Sequence, residues 1–201
     1  KIIDTKLLPR DITDMIIEEG WKFGIYPFLL SLSDSVNLRE SFLHDKILNK
    51  YQREVLARYS TADNLQECDG IRALDESFKI VYMGEETQLR ELHEHLENIF
   101  GASLKLIIAP EAYVGCYFLT ILHENADKSH GIKSVSEYVG FDLSDVTVFG
   151  DNFNDMGMFE LAGNSVAMLN AQPEVKDMAD IVLEYNNDED GVAKYLEGLR
   201  S

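Results

Sequence analysis

The chain has 201 residues, 45% hydrophobic and 27% charged, enough for one large or two small domains with cores of their own. With 36 acidic residues against 18 Lys plus Arg, its net charge of −18 repels nucleic acid phosphates and anionic lipid and argues against both as partners. Cys68 and Cys116 form no CxxC pairing, which argues against a disulfide framework and fits a reducing cytoplasm, and no apolar run reaches membrane-spanning length.

In chain order, Ile2-Ile3 and Leu7-Leu8 read as a short extended piece. Pro9 opens a helix over 10–19, with Ile12, Met15 and Ile16 on one face and Gly20 closing it. Residues 21–33 read as a strand whose Pro27 argues for an edge or a bulge, with 35–42 as its partner. Helical spacing of Ile47, Tyr51, Val55 and Leu56 predicts a helix over 44–59, followed by a polar loop over 60–70. The run FKIVYM predicts a strand at 78–83, then an amphipathic helix at 85–100 and strands at 104–109 and 117–122. This part reads as α+β, with hairpin-paired strands and helices on one face.

After His123 the texture changes to alternating helix and strand: a helix from Asp127-Lys128 to Tyr138 stopped by Gly140, then strands at 146–149, 165–168 and 181–183, with helices at 174–178 and 191–199. That alternation implies parallel βαβ units. The organising stretch is VTVFGDNFNDMGMFE, 146–160. A buried strand ends at Gly150, and Asp151, Asn154 and Asp155 follow at its carboxyl end, where open parallel sheets bind ligands. A helical start puts the three on one face, and two carboxylates there suit a hard cation such as Mg²⁺. Ordinary N-capping by Asp151, with Asp155 a solvated first-turn acid, remains an alternative on spacing alone. His44, His93, His95, His123 and His130 show no metal-ligand spacing and read as structural or solvated. Asn170 either satisfies backbone groups in its turn or approaches the candidate site.

The end of the chain carries GDxxND, then AG, VAMxNA, VK, AD and N-D-x-D-G-V in order. It resembles the end of Cof-type (subfamily IIB) phosphatases of the haloacid dehalogenase-like hydrolase superfamily, with Lys128 standing at that family's third-motif lysine. The upstream part resembles, more loosely, the family's inserted cap. The resemblance implies an α/β protein: residues 1–8 ending a first core segment, an α+β cap over 9–123, and the carboxyl-terminal half of a partial Rossmann-like core over 124–201. It also implies roles. Asp151 would ligate Mg²⁺, Asn154 would hydrogen-bond the phosphoryl group or a metal-bound water, and Asp155 would orient Lys128. Lys128 would neutralise charge on the phosphoryl oxygens and the nucleophile.

The family's DxDGT motif, which supplies the nucleophilic and acid/base aspartates, has no match ahead of the cap-like region. The nearest string, around Asp4, has Lys6 in place of the second acid. The expectation is that the chain begins near the end of the first core half, with on the order of 80 residues missing, and does not turn over phosphate esters alone. The expected partner is a small phosphorylated metabolite such as a sugar phosphate, and the incomplete core is expected to dimerise, swap or aggregate. Two other readings stay open: a non-catalytic truncated member serving as a binding or structural domain, and one half of a split phosphatase.

Overall fold

Along the strand at residues 77–84, Ile80 and Tyr82 point into one apolar cluster while Val81 and Met83 point into another, so both faces of its sheet carry packed side chains. The computed structural model describes residues 2–34, 39–58, 62–111 and 113–199. The chain divides into two units, Lys1–Ala126 and Asp127–Ser201.

The first unit contains α1 (Arg10–Lys22), β1 (Phe28–Asp34), β2 (Arg39–Asp45), α2 (Lys50–Arg58), β3 (Leu65–Cys68), β4 (Ser77–Gly84), α3 (Glu86–Phe100), β5 (Leu104–Glu111) and β6 (Cys116–His123). Its sheet runs β3-β2-β1-β4-β6-β5, antiparallel except for β2 with β3. Helices α1 and α3 cover one face, where Ile16, Ile17, Leu89, Leu92 and Leu96 meet Leu29, Ile80 and Leu119. The three leucines of α3 recur at helical spacing, and each fully buried one stabilises by about 1.5–3 kcal/mol.

Several sequence expectations give way here. Gly20 does not close α1 but lies inside it, because a Cβ there would sit 2.3 Å from the Tyr82 hydroxyl. That hydroxyl donates to the Ile16 carbonyl at 2.8 Å, so the glycine is a packing notch. Pro27 precedes β1, which pairs on both sides and is no edge; the irregularities fall later, at Leu30/Ser31 and Leu32/Asp34. The partner strand is Arg39–Asp45, so His44 and Asp45 belong to it and the next helix begins only at Lys50. Residues 35–38 of the expected strand, Tyr59 of the expected helix, and 60–61 of the expected loop lie outside the described residues. The rest of that loop contains β3, which Leu65 starts by pairing with Phe42. Helices also occupy both faces, since α2 packs Tyr51, Val55 and Leu56 on the side opposite α1 and α3.

The second unit runs α4 (Lys128–Val139), β7 (Thr147–Gly150), a 3₁₀ turn (Phe153–Asp155) leading into α5 (Met156–Phe159), β8 (Asn164–Ala167), α6 (Pro173–Met178), β9 (Ile181–Val182) and α7 (Gly191–Gly198). Its three strands are parallel in the order β7-β8-β9. Asp127 caps α4 by accepting from the His130 N–H at 2.8 Å, and Gly140 ends it at φ 84°. Val166, Val175 and Phe159 centre the core. Together the units form an α/β chain. No described helix is long and apolar enough to cross a membrane.

Candidate functional site

The site grows from the turn after β7. Gly150 carries no Cβ, and one there would lie 2.5 Å from the Asp155 Cβ, so only glycine lets the loop close over Asp155. The Asp155 side chain is buried, at 1% exposure for the residue. Its Oδ2 accepts the backbone N–H groups of Asp151 at 2.9 Å and Asn152 at 3.2 Å, while its Oδ1 accepts from Lys128 Nζ. Burial alone would raise the Asp155 pKa. The Lys128 hydrogen bond and the two N–H groups outweigh it and hold the carboxyl below the usual range. Lys128 keeps half of its side chain exposed (49%), so the ammonium is both anchored and accessible.

Lys128 reaches Asp155 because α4 and α5 approach closely. At Gly157 an added Cβ would meet the Ser129 Cβ at 3.0 Å. The loop is tied on its other side, where the Gln172 N–H donates to the Asp151 carbonyl at 3.0 Å. Asn152 accepts from the Phe153 N–H at 2.8 Å and caps the 3₁₀ turn, the role that the spacing alone had offered to Asp151.

Lys128, Asp151 and Asp155 line one open cleft of about 590 Å³, with Phe149, Met168 and Leu196 on its apolar side. Asp151 is exposed there. Asn154, exposed on the 3₁₀ turn, does not line the cleft. Asn187 and Asp190 do line it; they belong to the N-D-x-D-G-V run of the family match but were given no site role from the sequence. Asp190 adopts φ 58°, unique among the described non-glycine residues, at the start of α7. The Asp-Gly pair at 190–191 was the available signal for a tight turn there. Asn170 accepts the Asn187 N–H at 3.2 Å, which satisfies a backbone group in that same turn.

An ammonium fixed by a buried carboxylate can meet an anion, and an adjacent exposed carboxylate can take a cation. Mg²⁺ is commonly held by one or two carboxylates together with phosphate oxygens and water. Asp151 fits as one such ligand; Asp155 is committed to Lys128 and the two N–H groups. Among the described residues no group of three or more His, Cys, Asp and Glu side chains is arranged to hold an ion by itself.

The remaining candidates have other partners. His95 bonds Glu19 at 2.8 Å, His44 Nδ1 lies 3.0 Å from the Asp45 carbonyl, and His130 bonds Asp127 at 2.8 Å. His123 accepts the Asn125 N–H at 3.0 Å, and His93 lies 3.9 Å from Glu97. Asp4 pairs with Lys6 at 3.0 Å. Burial pushes the Cys116 thiol up to about 11 and also raises that of Cys68, so neither is an activated thiolate.

A model described as haloacid dehalogenase-like hydrolase matches residues 1–196. A 5-amino-6-(5-phospho-D-ribitylamino)uracil phosphatase of Bacillus subtilis is 34% identical over 87 residues, 43% of this chain and 30% of that protein. A phosphoglycolate phosphatase of Archaeoglobus fulgidus is 28% identical over 139 residues, 65% of this chain and 59% of that one. A Thermotoga maritima protein of known crystal structure superimposes with a TM-score of 0.70 at 26% identity, covering 97% of this chain and 68% of that chain. The chain spans 30% of the length of several of the curated relatives it matches.

Proposed function

This chain belongs to the haloacid dehalogenase-like hydrolases, and from that premise we propose that its cleft is the phosphate-handling part of a Mg²⁺-dependent phosphatase of small phosphorylated metabolites. The observation that carries the reading is the anchored, half-exposed Lys128 ammonium on buried Asp155, beside exposed Asp151. Lys128 binds and orients a phosphoryl group through its charge. Asp155 acts through Lys128 as a positioning residue, holding the ammonium and the turn in one arrangement. Asp151 supplies one oxygen ligand to Mg²⁺, while Asn154, which does not line the cleft, takes no part in holding the phosphoryl group there. A bound Mg²⁺ supplies charge neutralisation at the phosphoryl oxygens. The setting is the cytoplasm, and the copies associate through the second unit's apolar surface.

None of these side chains is an in-line nucleophile, and residues 1–126 contain no D-x-D pair. The 201 residues alone therefore give no turnover, since loss of a covalent nucleophile costs roughly a million-fold. The test is a steady-state assay with Mg²⁺ and a general phosphomonoester beside Asp151→Ala. Equal background rates are expected. Turnover well above that control would reveal an unseen nucleophile, Asp4 first. A second reading, a non-catalytic family member, is favoured by the same missing pair. An in-frame upstream DxDGT segment in the gene, with turnover of that longer chain abolished by Lys128→Ala, supports the enzyme. A stop codon there supports the binding protein.

A further inference from the structure

The first unit holds a second concave site, on the sheet face opposite α1 and α3. Its floor is Phe28, Leu30, Phe42, Val81 and Phe118, walled by α2 and the turn at 113–114, around a cavity of about 410 Å³. That volume is ordinary for a small-molecule site, which is mostly apolar with a few placed polar groups. The Phe28 and Phe42 rings, 4.8 Å apart and tilted by 50°, give the floor an aromatic surface. Two cations line the cavity. Lys79 stands half-buried on β4 among those apolar residues and makes no ion pair with a described residue. Arg58, at the end of α2, is held by Glu54 at 2.6 Å and by the Tyr113 carbonyl at 3.0 Å. Glu111 is the one acid among the described lining residues, and its carboxylate accepts the Tyr113 N–H at 2.9 Å. Glu54 already offsets the Arg58 charge, so the cation that selects for negative charge is Lys79, an amine half-buried among apolar residues and without an ion pair to a described residue.

We propose that this cavity binds a small amphipathic anion, a ring-sized apolar body on Phe28 and Phe42 bearing one acidic group that meets Lys79. The apolar floor supplies burial, and the half-buried amine supplies a charge-assisted hydrogen bond stronger than a fully solvated one. The inference goes beyond the phosphatase reading and does not depend on it, because none of these residues belongs to the Lys128 cleft.

The probe is 8-anilinonaphthalene-1-sulfonate, titrated into the full chain under native conditions, with its uncharged counterpart N-phenyl-1-naphthylamine as comparison. Binding is followed by fluorescence and by amide shifts. Saturable binding of the sulfonate is expected, with shifts on β1, β4 and β6, and weaker binding of the neutral probe. Lys79→Gln should weaken the sulfonate by about three- to tenfold, Lys79→Arg should retain it, and added salt should reduce it. Glu111→Gln removes the opposing charge without creating a cavity and should tighten binding by about two- to threefold. Equal affinity for both probes, binding unchanged in Lys79→Gln and Glu111→Gln, or shifts confined to residues 127–199 would each overturn the proposal.

Discussion

In the unit Lys1–Ala126, α1 and α3 hide continuous apolar stripes against a six-stranded sheet, whereas in Asp127–Ser201 helix α4 fully buries no residue, packs Ile132 partly against the core and leaves Val135, Tyr138 and Val139 exposed. Strand β9 is similarly uncovered, with Ile181 and Val182 both exposed. The second unit relies more on polar ties: the Asp127 cap, the bonds around Asp155, and the Asp180 carboxylate that accepts from both the Ser165 hydroxyl (2.7 Å) and its N–H (2.8 Å). One unit is thus held chiefly by burial and the other substantially by charge and hydrogen bonds. The candidate catalytic groups lie in the second, where the same carboxylate that fixes the lysine also fixes the turn.

That contrast can be broken by mutation. The largest effect should come from Tyr82→Ala, which removes a fully buried ring and its bond to Ile16 and should cost about 3–5 kcal/mol. Trp21, the single tryptophan, lies in the first unit and reports its urea transition by fluorescence. A loss under about 1 kcal/mol would show that this core is not the first unit's main support. In the second unit, Gly163→Ala should cost about 1–3 kcal/mol or more, because the new Cβ would sit 1.7 Å from the Ser144 carbonyl oxygen and backbone must move. Amide exchange along β8 measures it, and unchanged protection would contradict the packing described.

Asp155→Asn sharpens the electrostatic half of the comparison. It should cost about 1–3 kcal/mol at neutral pH, tempered by the half-exposed lysine. The folded-state pKa of Asp155 is depressed, so its stabilisation is fully present above the unfolded carboxylate pKa of about 3.9 and is lost as pH falls through the lower folded value. The native second unit should weaken with acid in that window, and the variant should show a flatter profile there; identical profiles would remove Asp155 from the account. The smallest effect belongs to Ser165→Ala, about 1 kcal/mol for the bonds to Asp180, seen as faster exchange at β8 and β9.

Much of the second unit was legible because its punctuation is local. Asp127, Gly140 and Gly150 mark a cap, a left-handed stop and a tight turn within their own neighbourhoods, and the pairing of Lys128 with Asp155 follows from the motif match. The first unit was less legible where tertiary contact overrode local signals. Gly20 reads as a helix stop, yet Tyr82, 62 positions later, makes it an interior notch. Polar β3 has no alternating apolar pattern and exists because β2 offers an edge to pair with. The motif run contained Asn187 and Asp190, but their place at the cleft was not legible because only the return of the chain after β9 brings them there.

The central claim is that Lys128, held by Asp155 beside Asp151, forms a phosphate-handling site. Its most direct test is a titration of inorganic phosphate into the isotopically labelled chain, with and without Mg²⁺, read from backbone amide shifts. The account predicts saturable shifts at residues 128–130 and 150–155, strengthened by Mg²⁺, lost in Lys128→Ala, and with the Mg²⁺ enhancement lost in Asp151→Ala. Shifts absent from these residues, or unchanged in Lys128→Ala, would contradict it.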